Sequence, residues 1–163
     1  MKKRHSIYFS SPLGIIQISG TNAFITDVKF VEETETNDTD APDFLFECQK
    51  QLEEYFAGKR KKFEFPNLKP EGTAFQKKVW SELKKISYGT TTSYNSIAKK
   101  LKNPDSVRAV GHANGKNPIA IIIPCHRVIS EDGKLTGYSG LLWRKQWLLN
   151  HEGNISGNNP TLF

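Results

Sequence analysis

The chain of 163 residues contains no long apolar run. A membrane-spanning helix needs about 18 or more consecutive apolar residues, and no stretch comes close to that length. The basic N-terminus is followed by residues 7–12, which are too few to form the apolar core of a signal peptide. We therefore expect neither a membrane protein nor a secreted one, and the cytoplasm is the expected location.

Cysteine is also scarce, with Cys48 and Cys125 as the two examples. Together with the four histidines they show none of the spacings that are typical of zinc ligands, so we predict no metal ion and no other cofactor. A disulfide between the two is disfavoured in a reducing cytosol. Cys48 lies in a segment with a helical pattern and is predicted to be a small buried hydrophobe. Cys125 is left as the candidate for chemistry.

The net charge of +6 is unevenly distributed along the chain. Residues 1–69 contain ten lysines and arginines against eleven acidic residues, whereas residues 70–163 contain thirteen against six. Any one lysine taken alone is more simply a solvated side chain. The basic second half nevertheless favours a polyanionic partner, and nucleic acid is the first candidate.

The first part of the chain has the pattern of strands followed by one helix. Three β-rich segments separated by turn signals predict a small antiparallel sheet: residues 5–9, 14–19 and 24–31. An exposed acidic loop is expected over residues 32–43, and a helix over residues 43–56. The prolines and glycine that end at Gly72 mark a domain boundary. The expected organisation is a scaffold domain of residues 1–69, a second domain of residues 70–153 and a polar tail of residues 154–163.

Helical periodicity dominates the second half. Thr73 is placed to cap a helix over residues 75–86, and Ser93 to cap a short helix that runs through residue 101. A proline in its first turn starts another helix over residues 104–114. Two short helices joined by a tight turn predict a helix-turn-helix arrangement.

Three further elements are predicted after these helices. Residues 119–123 have the composition of a strand. Asp132-Gly133 is a strong hairpin signal, which predicts a β-wing over residues 128–138 beside the helix pair. A final helix is expected over residues 141–151, ending at Gly153.

The predicted helix of residues 104–114 is rich in small residues. Gly111 lowers helix stability without adding a packing contact. Ala109, Gly111 and Ala113 would let another surface approach closely. That surface is either a neighbouring helix or a nucleic-acid backbone, and the sequence leaves both open.

The segment with the most chemistry is Ile-Ile-Ile-Pro-Cys-His-Arg-Val at residues 121–128. A cysteine sulfur is nucleophilic as the thiolate, and a neighbouring imidazole or guanidinium favours that form. In an extended segment only Cys125 and Arg127 would share a face, unless the backbone turns after Pro124. A buried thiol beside a structural His126 is the alternative interpretation of the same residues.

Motifs throughout residues 72–153 match one protein family in order and spacing. They are Gly72-Thr73-x-Phe75-Gln76 with Val79-Trp80, Tyr88-Gly89-x-Thr91-x-Ser93-Tyr94, Arg108-Ala109-Val110-Gly111, Asn117-Pro118, Ile123-Pro124-Cys125-His126-Arg127-Val128, Gly137-Tyr138-Ser139-Gly140 and Leu148-Leu149-x-His151-Glu152. On these motifs the chain resembles the methylated-DNA–protein-cysteine methyltransferases, also called O6-alkylguanine-DNA alkyltransferases. Residues 1–69 resemble the family only in size and strand content.

The resemblance implies an α+β fold with a ribonuclease-H-like N-terminal sheet and helix, followed by a mostly helical, winged helix-turn-helix-like domain. It implies direct reversal of DNA damage by an S-methyltransferase that reacts once. The alkyl group on O6 of guanine, and also that on O4 of thymine, would move irreversibly to Cys125. The implied partner is double-stranded DNA containing O6-alkylguanine, bound through its minor groove by a monomer.

The family also implies a role for each matching residue of the pocket. Cys125 would be the nucleophile and alkyl acceptor, and His126 the general base acting through a water. Glu152 would orient His126, and Asn117 would belong to the hydrogen-bond network beneath the thiol. Tyr94 would donate a proton to the guanine ring.

On the DNA side, the family implies that the helix of residues 104–114 enters the minor groove while the damaged nucleotide is flipped into the pocket. Arg108 would occupy the gap that the flipped base leaves. The other residues expected to contact DNA or the base are Ala109, Gly111, Ala113, Asn114, Val128, Tyr138 and Ser139.

The chain departs from the family pattern in two places. Leu141 follows Gly140 where many members have a second glycine, and the N-terminal zinc ligands of some members are absent. Three other functions are alternatives: a lesion-binding protein without activity, a cysteine hydrolase and a sequence-specific helix-turn-helix regulator. Cys125 argues against the first, because such relatives lack this cysteine. No sequence feature indicates the oxyanion hole that a cysteine hydrolase requires.

Overall fold

The computed structural model describes residues 3–65, 67–133, 135, 138 and 141–156. The chain divides into two units, which we treat separately. The first comprises Met1–Glu71 together with Pro118–Ala120, and the second comprises Gly72–Asn117 and the chain from Ile121 onward.

The first unit is built on a three-stranded antiparallel sheet, as the alternating sequence predicts. The strands, in the order β1-β2-β3, are β1 (His5–Ser11), β2 (Gly14–Gly20) and β3 (Ile25–Val31). Ile7 pairs with Ile18, and Ile18 pairs with Val28. All three side chains are buried. Because side chains alternate between the two faces of a strand, this register gathers one face of the sheet into the core.

A helix and two short bridges complete this sheet. The helix α1 (Asp43–Phe56) has the predicted bounds and packs on β1 and β2. At the edge formed by β3, Ile25 pairs with Leu68 and Val28 pairs with Ile119, both in parallel. The second bridge is the reason that a short segment from late in the chain belongs to the first unit.

The second unit begins with α2 (Ala74–Leu83), whose start is fixed by a capping box. The hydroxyl of Thr73 accepts a hydrogen bond from the Gln76 amide at 3.1 Å, and the Thr73 amide donates to the Gln76 side chain at 2.9 Å. The sequence predicted this cap, although the helix ends three residues earlier than expected.

Two short helices follow, as predicted. The helix α3 (Tyr94–Lys100) is capped by Ser93, whose hydroxyl accepts from the Ser96 amide at 3.0 Å. A 3-10 turn at Pro104–Ser106 then leads into α4 (Val107–Gly115), which packs on both α2 and α3.

Trp80 attaches α2 to α4. Its ring is buried, and its indole N–H donates to the Ala113 carbonyl at 2.8 Å. Gly72 lies against the same ring, because a Cβ at this position would be 2.4 Å from the tryptophan. The Gly-Thr-x-Phe-Gln motif is therefore a packing and capping device.

The prediction of a strand over residues 119–123 was wrong. Ile119 makes its single bridge, after which the backbone turns through Ile121, whose φ is 72°. A left-handed backbone interrupts a strand and is unusual for a β-branched residue. The run is apolar because it is buried, and burial alone does not specify strand geometry.

The segment of the predicted wing begins with the strand β5 (Val128–Ile129), which pairs in parallel with β4 (Thr92–Ser93), a distant segment. Asp132-Gly133 does form a turn, with the Gly133 amide donating to the Ser130 carbonyl at 2.9 Å. The return arm of the predicted hairpin lies largely outside the described residues.

The last helix, α5 (Leu142–Ser156), runs past the predicted end at Gly153 and includes the first residues of the predicted tail. A single glycine costs a helix only about 1 kcal/mol, which neighbouring contacts can offset. Among the described residues, no helix combines the length and the apolar character that crossing a membrane would require.

Candidate active site

Cys125, His126 and Arg127 form one 3-10 turn that follows Pro124. Such a turn has about three residues per revolution, so the three side chains point in three directions. All three are buried. The backbone therefore does turn after Pro124, and the alternation expected of an extended segment does not apply.

The surroundings of Cys125 favour the neutral thiol at rest. Burial raises the pKa of the thiol, and a hydrogen bond from Asn117 and the charge of Lys145 offset this only in part. The Asn117 amide also donates to the Ile123 carbonyl at 2.7 Å. The cation that lowers the pKa of the thiol is Lys145 of α5, rather than the adjacent Arg127.

Glu152 on α5 lies against both residues that follow the cysteine. Its Oε2 is 2.7 Å from His126 Nε2. Arg127 donates from Nε to Oε1 at 2.8 Å and from Nη2 to Oε2 at 3.0 Å. Sequence reasoning paired His126 with Glu152 but gave Arg127 no part in this cluster.

The cluster sets the charge of each member. Burial opposes ionisation of Glu152, but the charges and hydrogen bonds of His126 and Arg127 outweigh it and hold the pKa of the carboxyl far below its usual range. Burial lowers the pKa of His126, and the attraction of Glu152 does not restore it. Glu152 is thus ionised and His126 neutral near pH 7.

The neutral imidazole has one defined tautomer. Because Glu152 is an ionised acceptor, Nε2 of His126 carries the hydrogen and Nδ1 keeps a lone pair. Nδ1 is buried and has no hydrogen-bond partner among the residues that the structure describes. The side chain is therefore able to accept a proton.

Lys145 is a second charged residue of the site that sequence reasoning missed. It is fully buried in α5, its ammonium donates to the Val128 carbonyl at 2.5 Å, and burial lowers its pKa to about 8. Its nitrogen also lies 5.9 Å from the centre of the Tyr94 ring. Helical spacing contained a signal, since Lys145 and Glu152 are seven residues apart on the face that buries Leu148.

Two tyrosines contribute to the same region. Tyr94 begins α3 and faces Gly111, where an added Cβ would lie 3.8 Å from the ring. Tyr138 is buried, its hydroxyl has no hydrogen-bond partner within the described part of the chain, and burial raises its pKa. Ser139, the expected contact to O6, lies outside the described residues.

The expected DNA-contacting residues of α4 do not share one face. Arg108 and Ala109 are exposed. They line an open cavity of about 620 Å³ together with Thr73, Phe75, Gln76, Asp105, Ser106, His112 and Ala113. Asn114 instead is buried, and its amide donates to the Cys125 carbonyl at 3.2 Å. A buried side chain cannot contact a duplex, so the position of Asn114 favours a role beneath the nucleophile.

No group of three or more His, Cys, Asp or Glu side chains is arranged to hold a metal ion in the part of the chain that the structure describes. The site is thus an array of a thiol, an imidazole, a carboxylate and two cations. It can activate a buried sulfur by removing its proton.

Comparison with known proteins identifies the family. The model of the 6-O-methylguanine DNA methyltransferase ribonuclease-like domain matches residues 4–69, and that of the corresponding DNA-binding domain matches residues 74–154. The chain belongs to the methylated-DNA–protein-cysteine methyltransferase family. The resemblance, the enzyme class and the α+β fold inferred from the motifs are confirmed, and the family match also covers the N-terminal part.

Individual members of the methyltransferase family are similar over nearly the whole chain. The methylated-DNA–protein-cysteine methyltransferase of Methanosarcina acetivorans is 48% identical over 151 residues, covering 90% of this chain and 96% of that protein. The crystal structure of Mycobacterium tuberculosis O6-methylguanine methyltransferase has a TM-score of 0.84 and 40% identity, covering 98% of this chain and 96% of that one. The same mycobacterial protein solved in complex with DNA has a TM-score of 0.83 and 42% identity over 93% and 94% of the two chains.

Leu141, at a glycine position of many methyltransferases of this family, has a left-handed backbone with φ at 75°. Glycine adopts this conformation without steric cost, whereas leucine does not. The side chain is 58% exposed. Leu141 therefore has a backbone conformation that glycine adopts more easily.

Proposed function

We propose that this protein repairs DNA by transferring an alkyl group from O6 of guanine to the sulfur of its own Cys125. The observation that carries the proposal is the buried Cys125 thiol next to a neutral His126 that is held by Glu152. The names of the relatives and the mycobacterial structure with DNA support alkyl transfer on a DNA substrate. Transfer from O4 of thymine is part of the proposal.

The chemistry follows from the protonation states. The Cys125 proton passes through a water to His126 Nδ1, and the sulfur attacks the alkyl carbon. The new carbon–sulfur bond forms as the bond from that carbon to O6 breaks, and the electron pair of the broken bond goes to guanine. Tyr94 stabilises that charge with a hydrogen bond at N3 or neutralises it by donating its proton there. The product is a thioether, so each molecule reacts once.

Lys145 and Asn117 support the intermediate thiolate. Both lower the pKa of the Cys125 thiol, although burial dominates at rest. A buried negative charge is costly unless cations or donors surround it. We propose that these two groups keep the cost of forming the thiolate low enough for His126 to act as the base.

On the nucleic-acid side, we propose that α4 enters the minor groove and that Arg108 fills the space of the flipped nucleotide. Flipping costs a few kcal/mol in lost stacking and pairing, so a side chain that fills the gap is favourable. The exposed position of Arg108 supports this role. We further propose that Tyr138 walls the pocket, that the protein acts as a monomer and that it functions in the cytoplasm.

The direct test is incubation with a duplex that carries a single O6-methylguanine, followed by mass spectrometry of the peptides. The Cys125 peptide should become one methyl group heavier, and a duplex with ordinary guanine should leave it unchanged. Cys48→Ser is the matched control, since Cys48 is also buried and burial also raises its thiol pKa. It should not affect transfer, whereas Cys125→Ser should abolish it.

Stoichiometry separates this proposal from its alternatives. One equivalent of protein should repair at most one equivalent of lesion, whereas a hydrolase would continue beyond that point. A lesion-binding protein without activity would shift the damaged duplex in a binding assay and leave every peptide unmodified. Either of these results would reject the proposed reaction.

A further inference from the structure

We infer that Arg127 is a positioning residue for alkyl transfer: its guanidinium fork holds Glu152 in place and thereby fixes His126 as a neutral base with Nδ1 free. The inference rests on the proposed function. It assigns the arginine, the fourth residue of the Pro-Cys-His-Arg motif, to the base rather than to the thiol.

Arg127 connects two separate parts of the second unit. Its Nε and Nη2 make the two-pronged contact with Glu152 described above, and its Nη1 donates to the Ile86 carbonyl at 2.7 Å. A guanidinium has its donors in a rigid plane that matches a carboxylate, so two parallel hydrogen bonds fix both distance and angle. The bond to Ile86, just beyond α2, fixes the guanidinium itself.

The carboxylate of Glu152 has no remaining freedom to rotate. Oε1 accepts from Arg127 Nε and, at 3.3 Å, from the Gly89 amide. Oε2 accepts from Arg127 Nη2 and faces His126 Nε2. A carboxylate offers about four lone-pair sites, and all four are engaged here. The imidazole is therefore held at one orientation by a carboxylate that is itself fixed.

The guanidinium also acts with burial, which has the larger effect, to keep the imidazole neutral. A buried carboxylate alone would attract a proton onto His126 and form an imidazolium, which cannot accept the thiol proton. Arg127 already neutralises Glu152, so an added proton would leave a net positive charge in a buried cluster. That charge is costly because burial removes its hydration. Arg127 thus keeps the base ready for the reaction.

Two substitutions separate the charge of Arg127 from its shape. Arg127→Lys keeps a cation but loses the two-pronged contact, and Arg127→Gln loses both. Arg60→Gln is the matched control, because Arg60 makes the same kind of contacts in the first unit: to Glu54 at 3.0 Å and to the Lys62 carbonyl at 2.9 Å. Thermal unfolding of each variant identifies those that fold.

The first readout is the rate of single-turnover methyl transfer to Cys125 as a function of pH. In Arg127→Gln the imidazole should hold its proton more tightly, so the acidic limb of the profile should move to higher pH. If the pKa of the imidazole rises by one unit, the rate at a given pH on the acidic limb should fall about tenfold, while the plateau rate is unchanged. In Arg127→Lys the acidic limb should lie at the same pH as in the wild type, with a plateau rate about tenfold lower. Arg60→Gln should match the wild type in both.

The second readout is NMR titration of the His126 ring, which requires no DNA and no activity. In the wild type the ring should titrate below its ordinary range, and in Arg127→Gln it should titrate higher. A wild-type His126 that is charged at pH 7 overturns the inference even if no Arg127 variant folds. Unchanged rate profiles and titrations in folded variants also overturn it. Failure of the wild type to methylate Cys125 would instead reject the proposed function and leave the titration as the test of Arg127.

Discussion

Lys102 occupies a left-handed position at the end of α3, with φ at 60°. Its amide donates to the Lys99 carbonyl and the next amide donates to the Ala98 carbonyl, which is the usual pattern at a helix C-terminus. Glycine is preferred there because it lacks a Cβ. The lysine is exposed, so its side chain adds no burial that would offset the strain.

We expect Lys102→Gly to stabilise the protein by about 0.5–1 kcal/mol, because relief of the left-handed strain exceeds the added entropy of the unfolded chain. Lys100→Gly is the matched control, with the same change of charge and exposure at a helical position. It should destabilise the protein by about 1 kcal/mol. Urea unfolding measures both, and changes of the same sign would contradict this account of the helix end.

At the scale of elements, α4 has a glycine in its interior that the fold does not require. A Cβ at Gly111 would lie at ordinary contact distance from Tyr94. The sequence left open whether small residues in this helix serve a neighbouring helix or a nucleic acid. Since the described structure has room for a methyl group, close helix packing does not explain the glycine.

Gly111→Ala should raise the free energy of unfolding by about 0.5–1 kcal/mol through higher helix propensity. The same variant should react more slowly with an O6-methylguanine duplex, because the methyl group would occupy the surface that approaches DNA. Reaction with a free O6-alkylated guanine base is the control and should change less. Equal effects on the two substrates would indicate that Gly111 serves the pocket rather than the duplex.

At the scale of the whole molecule, the buried ionic cluster makes stability depend on pH. Glu152 has a lower pKa in the folded than in the unfolded chain, so its contribution is present above about pH 4.5 and is lost as the pH falls below that value. His126 also has a lowered folded pKa. Its neutral form is favoured by folding, so stability is lost as the pH falls through about 6.5.

The free energy of unfolding should therefore decrease between about pH 6.5 and pH 4, by about 1.4 kcal/mol for each unit by which folding lowers a pKa. His126→Gln should flatten the upper part of this decrease. His112→Gln provides the control, because His112 is exposed and lies outside the cluster. Urea midpoints measured across the pH range test this, and parallel curves for His126→Gln and wild type would refute it.

Local sequence was sufficient for the first three strands and for the starts of several helices. Alternation and turn residues predicted β1 to β3, and caps such as Thr73 and Ser93 marked the starts of α2 and α3. These features depend on residues a few positions apart, whose geometry the backbone itself limits. The family motifs led directly to Cys125, His126 and Glu152 for the same reason: the residue types and their order are visible without coordinates.

Only the tertiary structure decided how those residues share their charges. Arg127 binds a carboxylate 25 residues away, and Lys145 donates to a carbonyl 17 residues away. The parallel pairing of β4 with β5 and the turn at Ile121 likewise depend on distant partners and on burial. Burial is a property of the folded chain, and here it outweighs the local cations in setting the charge of Cys125. The sequence alone thus selected the candidate residues of the site, and the fold determined which of them is ionised, which is neutral and which contacts hold them in place.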